Sequence, residues 1–277
     1  MPTTWQMRRG PVLQLTGRPA LKLVFVNEGG PASLIRSTDT LNFEQTAELP
    51  PSASAALLCW QSRPGEIVTV SGPDGSCWRC RVESLRDDAA TIVPFESLPR
   101  PVESPIAITV YHALPEKERF ELVLQKLTEL GVTRVVPMLT ERSATLDEWD
   151  AAQEIPHRWS QAVLKAAKQC RRAMIPELAE LIAWNTALAD TAQSDTRLML
   201  CEGETNWSLQ EVFERNRPIK VALMIGPEGG FSPEEVAQAE QQGILPIVLG
   251  PRILRAETAA IAAVTGIQYA VGDLATG

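Results

Sequence analysis

A glycine-rich loop is the part of the sequence that most resembles a binding site. Residues Ile225–Glu235 follow an apolar run that predicts a buried strand, and they include Gly226, Gly229 and Gly230. Glycines at the carboxyl end of a parallel strand let the backbone approach a ligand closely, but they also suit a tight turn that binds nothing. The spacing is not G-x-G-x-x-G and no Walker lysine follows, which excludes a dinucleotide motif and a P-loop.

A second loop of the same kind lies at Leu249–Ala259, where Gly250 again follows an apolar run. It contains two arginines three positions apart, Arg252 and Arg255. They could be solvated surface side chains. At the ligand-binding end of a sheet they could instead hold a phosphate or a developing anion through paired hydrogen bonds.

A basic segment covers residues 157–176, which contain no acidic residue. Its cations are Arg158, Lys165, Lys168, Arg171 and Arg172. Four of them have the spacing of one helical stripe, which is typical either of a solvated helix face or of a surface that contacts RNA phosphates.

The sequence lacks the residues that several other kinds of catalytic or metal site require. His112 and His157 are too few for a histidine-based triad or metal site, and no G-x-S-x-G motif is present. Cys77 and Cys80 form one C-x-x-C, but they lie in an alternating pattern that predicts a strand, on which the two sulfurs diverge. We therefore expect no metal.

Composition places the chain among globular proteins. It has 277 residues, 44% hydrophobic residues and a net charge of −8, and its apolar runs are too short for a membrane helix. The acidity argues against a protein coated in nucleic acid without excluding a local basic site. Residues 1–27 are basic and acid-free, which allows a transit peptide, but Leu21–Val26 reads as a strand.

Hydrophobic patterning divides the chain into two parts. Residues 20–93 predict short strands, residues 94–105 are rich in proline and predict a linker, and residues 106–277 alternate strands with helices, as in a parallel α/β sheet. Residues 1–19 form an N-terminal extension. The predicted strands are Leu21–Val26, Glu66–Val70, Ser76–Val82, Thr91–Val93, Ile106–Val110, Val135–Leu139, Leu198–Cys201, Lys220–Ile225 and Ile247–Leu249. The predicted helices are Glu118–Leu130, 156–174, Leu209–Asn216, Pro233–Gln242 and Glu257–Val271. Ser232 and Glu235 have capping-box spacing at one helix start.

Together these motifs resemble the SPOUT superfamily of S-adenosylmethionine-dependent RNA methyltransferases. Within it the chain is similar to the RsmE family, which methylates uridine N3 in small-subunit (16S) ribosomal RNA. The similar stretches recur in family order and comprise residues 117–121, 125–132, Thr140–Ser143, 169–172, Ile225–Glu235 and Leu249–Ala259.

The resemblance implies a PUA-like, RNA-binding β-barrel at residues 20–93 and a C-terminal SPOUT domain with a trefoil knot at residues 106–277. It implies S-adenosylmethionine as cofactor, 16S rRNA or the small ribosomal subunit as partner, a cytoplasmic location, and a homodimer through the C-terminal domain. The small residues of the last helix permit close packing. We expect no membrane partner.

The resemblance also implies the site residues. Those expected to bind the cofactor are Leu200, Glu202, Gly203, Ile225, Gly226, Pro227, Gly229, Gly230, Leu249, Gly250, Ile253, Leu254, Thr258 and Ala259. Those expected to bind RNA are Arg142, Lys165, Lys168, Arg171 and Arg172. We expect Arg252 or Arg255 to stabilise the uridinate that develops during transfer, and Glu257 or Glu228 to accept the proton. Glu257 could instead only complement the helix start.

The chain departs from the family at three places. The barrel has Ser54-Ala55 and Gln61 where the family usually has paired histidines and an arginine. In the basic segment, Lys168 replaces the usual glutamate and Arg171 the usual glycine. These changes suggest either that phosphate contacts have moved from barrel to helix or that the target RNA differs. Two alternatives remain: a methyltransferase for another RNA site, or a non-catalytic RNA-binding protein that keeps the fold.

Overall fold

A computed structural model describes residues 29–86, 88–115, 117–143, 156–202 and 207–275. The predicted extension, the predicted strand Leu21–Val26 and Gly203 lie outside this part of the chain. Its N-terminal portion contains β1 (Ala47–Leu49), α1 (Pro51–Cys59), β2 (Ile67–Ser71), β3 (Cys77–Leu85) and β4 (Ala90–Leu98). The remainder contains β5 (Ala107–Ala113), α2 (Lys117–Glu129), β6 (Arg134–Leu139), α3 (Pro156–Gln169), β7 (Glu177–Leu178), β8 (Ile182–Ala183), α4 (Trp184–Asp190), β9 (Thr196–Leu200), α5 (Leu209–Arg215), β10 (Lys220–Ile225), α6 (Pro233–Gln241), β11 (Leu245–Ile247) and α7 (Ala256–Val271).

The N-terminal strands form an antiparallel sheet in the order β1-β4-β3-β2. Its inner face buries apolar side chains such as Val70, Val82 and Ile92, against which Leu57 of α1 packs. The sequence predicts β2, β3 and β4 to within a few residues at their starts. It does not predict α1, whose small residues give no helical period.

The predicted linker begins too early. β4 continues through Pro94 to Leu98, and Pro94 is paired with Cys80 at a register irregularity between Arg79 and Cys80. A bulge is one of the few places where a sheet accommodates a residue with no N–H. Residues 94–98 therefore belong to the sheet.

The second sheet is parallel throughout, in the order β11-β9-β10-β5-β6-β7, with β8 also pairing to β6. Alternate residues of its strands face two apolar layers. One layer contains α2, α3, α5 and α7, and the other contains α4 and α6. Because both faces are covered, β10 is a nearly continuous apolar run, which explains why its predicted bounds are confirmed.

Several predicted elements differ from the structure at their ends, among them one helix and one strand. The helix predicted over 156–174 ends at Gln169, and Arg171 beyond it has φ of 64°. The strand predicted at Ile247–Leu249 lies at Leu245–Ile247. The helices that the structure describes include none long and apolar enough for a membrane span.

Candidate active site

Three loops surround a cavity of about 660 Å³ at the carboxyl end of the parallel sheet. They leave β9, β10 and β11, which are neighbours in the sheet even though the helices α5 and α6 separate them along the chain. Loops that follow parallel strands meet at one edge, which is the usual ligand site of such sheets. The volume is within the range of small-molecule pockets.

The cavity brings together most of the residues that the sequence assigned to the cofactor. Thr258 does not line it, and Gly203 lies outside the described residues. The predicted residues that do line it are Leu200, Glu202, Ile225, Gly226, Pro227, Gly229, Gly230, Leu249, Gly250, Ile253, Leu254 and Ala259. Sequence reasoning missed further lining residues, which lie beside the predicted ones or on α6: Cys201, Phe231, Val236, Val248, Pro251 and Ala256.

Two glycines of the loops are required by the backbone. Gly230 has φ of 67° and Gly250 has φ of 72°, and no atom lies within 4 Å of where a Cβ would stand on either. Left-handed φ disfavours residues with a side chain, and the open space lets the backbone face the cavity directly. Both glycines therefore fit a site that the backbone itself lines.

The loop after β10 is held by the helix that follows it. Ser232 Oγ accepts a hydrogen bond from Glu235 N at 3.3 Å, and the buried Glu235 carboxylate accepts one from Ser232 N at 3.0 Å. This confirms the predicted capping box. The same carboxylate accepts a second hydrogen bond, from Glu141 N at 2.9 Å, which ties the turn after β6 to the site.

Arg142 lies on that turn and lines the cavity, although the sequence assigned it to RNA. Its Nη1 donates to Gly229 O at 3.0 Å. Arg252 and Arg255 line the cavity as well, and neither forms an ion pair within the part of the chain that is described. Three guanidinium groups therefore surround one cavity, and they can stabilise negative charge there.

The two candidate proton acceptors occupy different positions. Glu228 lines the cavity, whereas Glu257 does not and its side chain is 13% exposed. Arg119 of α2 bridges them, with 3.6 Å from Nη1 to Glu228 Oε1 and 4.0 Å from Nε to Glu257 Oε1. The geometry favours Glu228 over Glu257 as the group that contacts a substrate.

His112 lies behind this pair, next to Ile225 in strand register, and is fully buried. Its Nδ1 donates to Ala113 O at 2.6 Å, so the neutral ring keeps a lone pair on Nε2. Burial lowers the pKa of His112 to about 4, although that hydrogen bond and the carboxylates of Glu228 and Glu257 act in the opposite direction. The ring is therefore neutral at physiological pH.

The basic segment is only partly exposed. Lys165, Lys168 and Arg171 are exposed, but Arg172 is 4% exposed. Its Nη2 donates to Glu103 Oε2 at 2.6 Å, and its Nη1 donates to the carbonyl oxygens of Thr128 and Val132. The assignment of Arg172 to RNA binding is therefore wrong, because α3 ends before it and the chain turns it inward.

Comparison with known proteins identifies the family. The family model described as RNA methyltransferase domain matches residues 102–268, more than half of the chain. Ribosomal RNA small subunit methyltransferase E of Synechocystis sp. is 31% identical over 240 residues, which cover 86% of this chain and 75% of the relative. The enzyme of that name from Neisseria gonorrhoeae, solved with bound S-adenosyl methionine, has 29% identity and a TM-score of 0.61, covering 87% of this chain and 99% of the other. A Legionella pneumophila structure described as a methyltransferase with bound SAM has 33% identity and a TM-score of 0.59, covering 87% and 98%.

The fold, the cavity and these similarities define the class: the chain belongs to the RNA methyltransferase family. Within it, the relatives place the chain with ribosomal RNA small subunit methyltransferase E. The resemblance found in the sequence is confirmed. The expected activity of a ribosomal RNA methyltransferase that uses S-adenosylmethionine is confirmed at the level of this family.

Proposed function

We propose that this protein transfers a methyl group from S-adenosylmethionine to a uridine N3 of small-subunit (16S) ribosomal RNA. The observation that carries the proposal is the cavity between the loops after β9, β10 and β11, with Arg252, Arg255 and Glu228 on its wall. The names of the relatives supply the substrate class.

The cavity fits the cofactor. Its walls combine apolar side chains, such as Leu200, Ile225 and Leu249, with backbone freed by glycine, and both features suit an adenosine and an amino-acid moiety. By the family resemblance, Gly203 also belongs to the proposed cofactor site. Bound S-adenosylmethionine supplies a methyl group that its sulfonium already activates.

The chain's own residues must then position uridine and remove the proton from its N3 atom. Uridine N3–H is a weak acid. The uridine anion that forms when the N3 proton is removed is delocalised onto the neighbouring oxygens. Arg252 and Arg255 stabilise that anion electrostatically, and neither can accept the proton, because arginine stays protonated. Glu228 accepts the proton from N3, and Arg119 holds its carboxylate beside Glu257.

The remaining cations bind the RNA. Lys165, Lys168 and Arg171 contact phosphates from the exposed side of α3 and its end, and Arg142 contacts RNA at the mouth of the cavity. The acidic chain thereby keeps a local basic surface on the methyltransferase part.

The remaining architecture follows the family resemblance. Strands β1 to β4 belong to a PUA-like, RNA-binding barrel, and the loops after β9, β10 and β11 belong to a trefoil knot. Two copies pair through the C-terminal domain, where Ile253 and Tyr269 are 80% and 68% exposed. The protein works in the cytoplasm, where bacterial ribosomal subunits are.

The test is a transfer assay on small ribosomal subunits from a strain that lacks the protein. Labelled methyl from S-adenosylmethionine should enter 16S rRNA, and mass spectrometry of its nucleosides should find 3-methyluridine. Another modified nucleoside would indicate a different RNA site. Binding of RNA without any transfer would indicate a non-catalytic protein.

A further inference from the structure

A second cavity, of about 230 Å³, lies between the antiparallel sheet and the end of α3. We call it the basic cleft. Its polar wall is formed by Glu66, Thr69, Arg79, Lys168, Arg171 and Arg172. Four of these six side chains are cations, in a protein whose net charge is −8. The cleft is far more basic than the chain around it.

Two of the four cations are already neutralised by carboxylates. Arg172 is paired with Glu103 at 2.6 Å, and Lys168 Nζ lies 3.3 Å from Glu66 Oε2. Arg79 and Arg171 form no ion pair within the described part of the chain. They are therefore the two charges that the cleft leaves uncompensated.

Arg79 is unusual because it is 9% exposed. Its Nη1 donates to Thr69 Oγ1 at 2.6 Å, and the exposed Glu96 lies opposite it in the register of β3 and β4. Burial and the positive charge of Arg171 both lower the pKa of Arg79, while Glu96 raises it. A cation held out of water near another cation is costly unless an anion joins them.

Arg171 occupies a position that suits glycine. Its φ is 64°, in the left-handed region that side chains disfavour, and the family it resembles usually has glycine there. Thr69 Oγ1 donates to Arg171 O at 2.8 Å while accepting from Arg79, so one hydroxyl links the two arginines. Replacing glycine with arginine here adds strain and charge repulsion, which an anionic ligand would offset.

We infer that the basic cleft binds one phosphate of the RNA backbone between Arg79 of the antiparallel sheet and Arg171 of the methyltransferase part. Arginine suits this role because its planar guanidinium forms paired hydrogen bonds to phosphate oxygens. A phosphate held from both sides fixes the RNA's register on the protein without reading its sequence. This inference rests on the proposed function, since it assigns part of the RNA path for the same reaction.

Arg171→Gly is the most informative variant. It removes one phosphate contact and also the left-handed strain, so its melting temperature should equal or exceed that of the unaltered protein, while RNA binding weakens about tenfold. Fluorescence anisotropy with a fluorescein-labelled 20-nucleotide RNA, repeated over a range of KCl concentrations, gives both affinity and salt dependence. The slope of log Kd against log [KCl] should fall by about 0.7.

Arg79→Gln tests the other side of the cleft, and Arg81→Gln, an exposed arginine on the same strand, is its matched control. Arg79→Gln should weaken RNA binding and Arg81→Gln should change it much less. The double variant Arg79→Gln/Arg171→Gly should lose less affinity than the two single losses combined, because both residues hold one phosphate.

Other outcomes overturn the inference. Unchanged affinity and slope in Arg171→Gly would exclude the contact. Inorganic phosphate binding that is lost in Arg171→Gly, with RNA affinity unchanged, would make the cleft a free-anion site.

S-adenosylmethionine binding, measured by titration calorimetry, should be the same in all variants. If the unaltered protein binds RNA but not S-adenosylmethionine, the proposed function fails while the cleft still stands.

Discussion

Breaking the ion pair between Glu103 and the buried Arg172 should lower the free energy of unfolding by more than breaking an exposed ion pair does. The Arg172 side chain is 3% exposed, and the Glu103 carboxylate also accepts hydrogen bonds from the backbone N–H groups of Ala173 and Met174 at 2.9 and 3.0 Å. Glu103→Gln keeps the size of the side chain but leaves a buried cation without its counter-charge. We expect the free energy of unfolding to fall by about 3–5 kcal/mol.

The matched control is Glu66→Gln, which breaks the ion pair with Lys168. Those two side chains are 41% and 39% exposed, so the loss should be below about 1 kcal/mol. Urea denaturation followed by circular dichroism measures both. A further variant, Glu103→Gln/Arg172→Met, should recover part of the loss because it removes the uncompensated charge. Equal losses in Glu103→Gln and Glu66→Gln would show that burial does not set the energetic value of these two ion pairs.

Three further predictions concern the active site and its supports. Arg252→Ala should lower methyl transfer by at least about 100-fold while S-adenosylmethionine binding stays within a few-fold, because the guanidinium acts on the developing anion; full activity in the transfer assay would contradict this. Ser232→Ala should cost about 1 kcal/mol in urea denaturation, since it removes the cap of α6, and an exposed serine such as Ser52 gives the control. His112 has a folded-state pKa of about 4 against an ordinary value of 6.5, so the unfolded chain binds its proton first as the pH falls. Its stabilising effect should be complete above pH 6.5 and should be lost between pH 6.5 and 4, and His112→Gln should lack this part of the pH dependence of stability.

The parallel sheet was predictable because its strands are buried on both faces. β10 is apolar along almost its whole length, and the glycines that follow it mark the site loops. Topology then brings the loops together, which the sequence indicates only through family resemblance: β9, β10 and β11 are neighbours although α5 and α6 lie between them in the chain.

The errors have tertiary causes. Arg172 looks like one more cation of a basic stripe, but its partner Glu103 is 69 residues away. Arg79 lies on the face of β3 opposite the core residues Cys80 and Val82, as the alternation predicts, but the turn at Arg171 covers that face, so Arg79 is buried while Arg81 is exposed. Both environments depend on contacts that local patterns do not record.

We propose that the three loops at the carboxyl end of the sheet hold the methyl donor. A crystal structure of the protein grown with S-adenosylmethionine tests it most directly. We expect the donor between the loops after β9, β10 and β11, with its methyl group facing the side of the cavity that carries Arg252, Arg255 and Glu228. Electron density for the donor at any other place, with this cavity filled only by water, would contradict it.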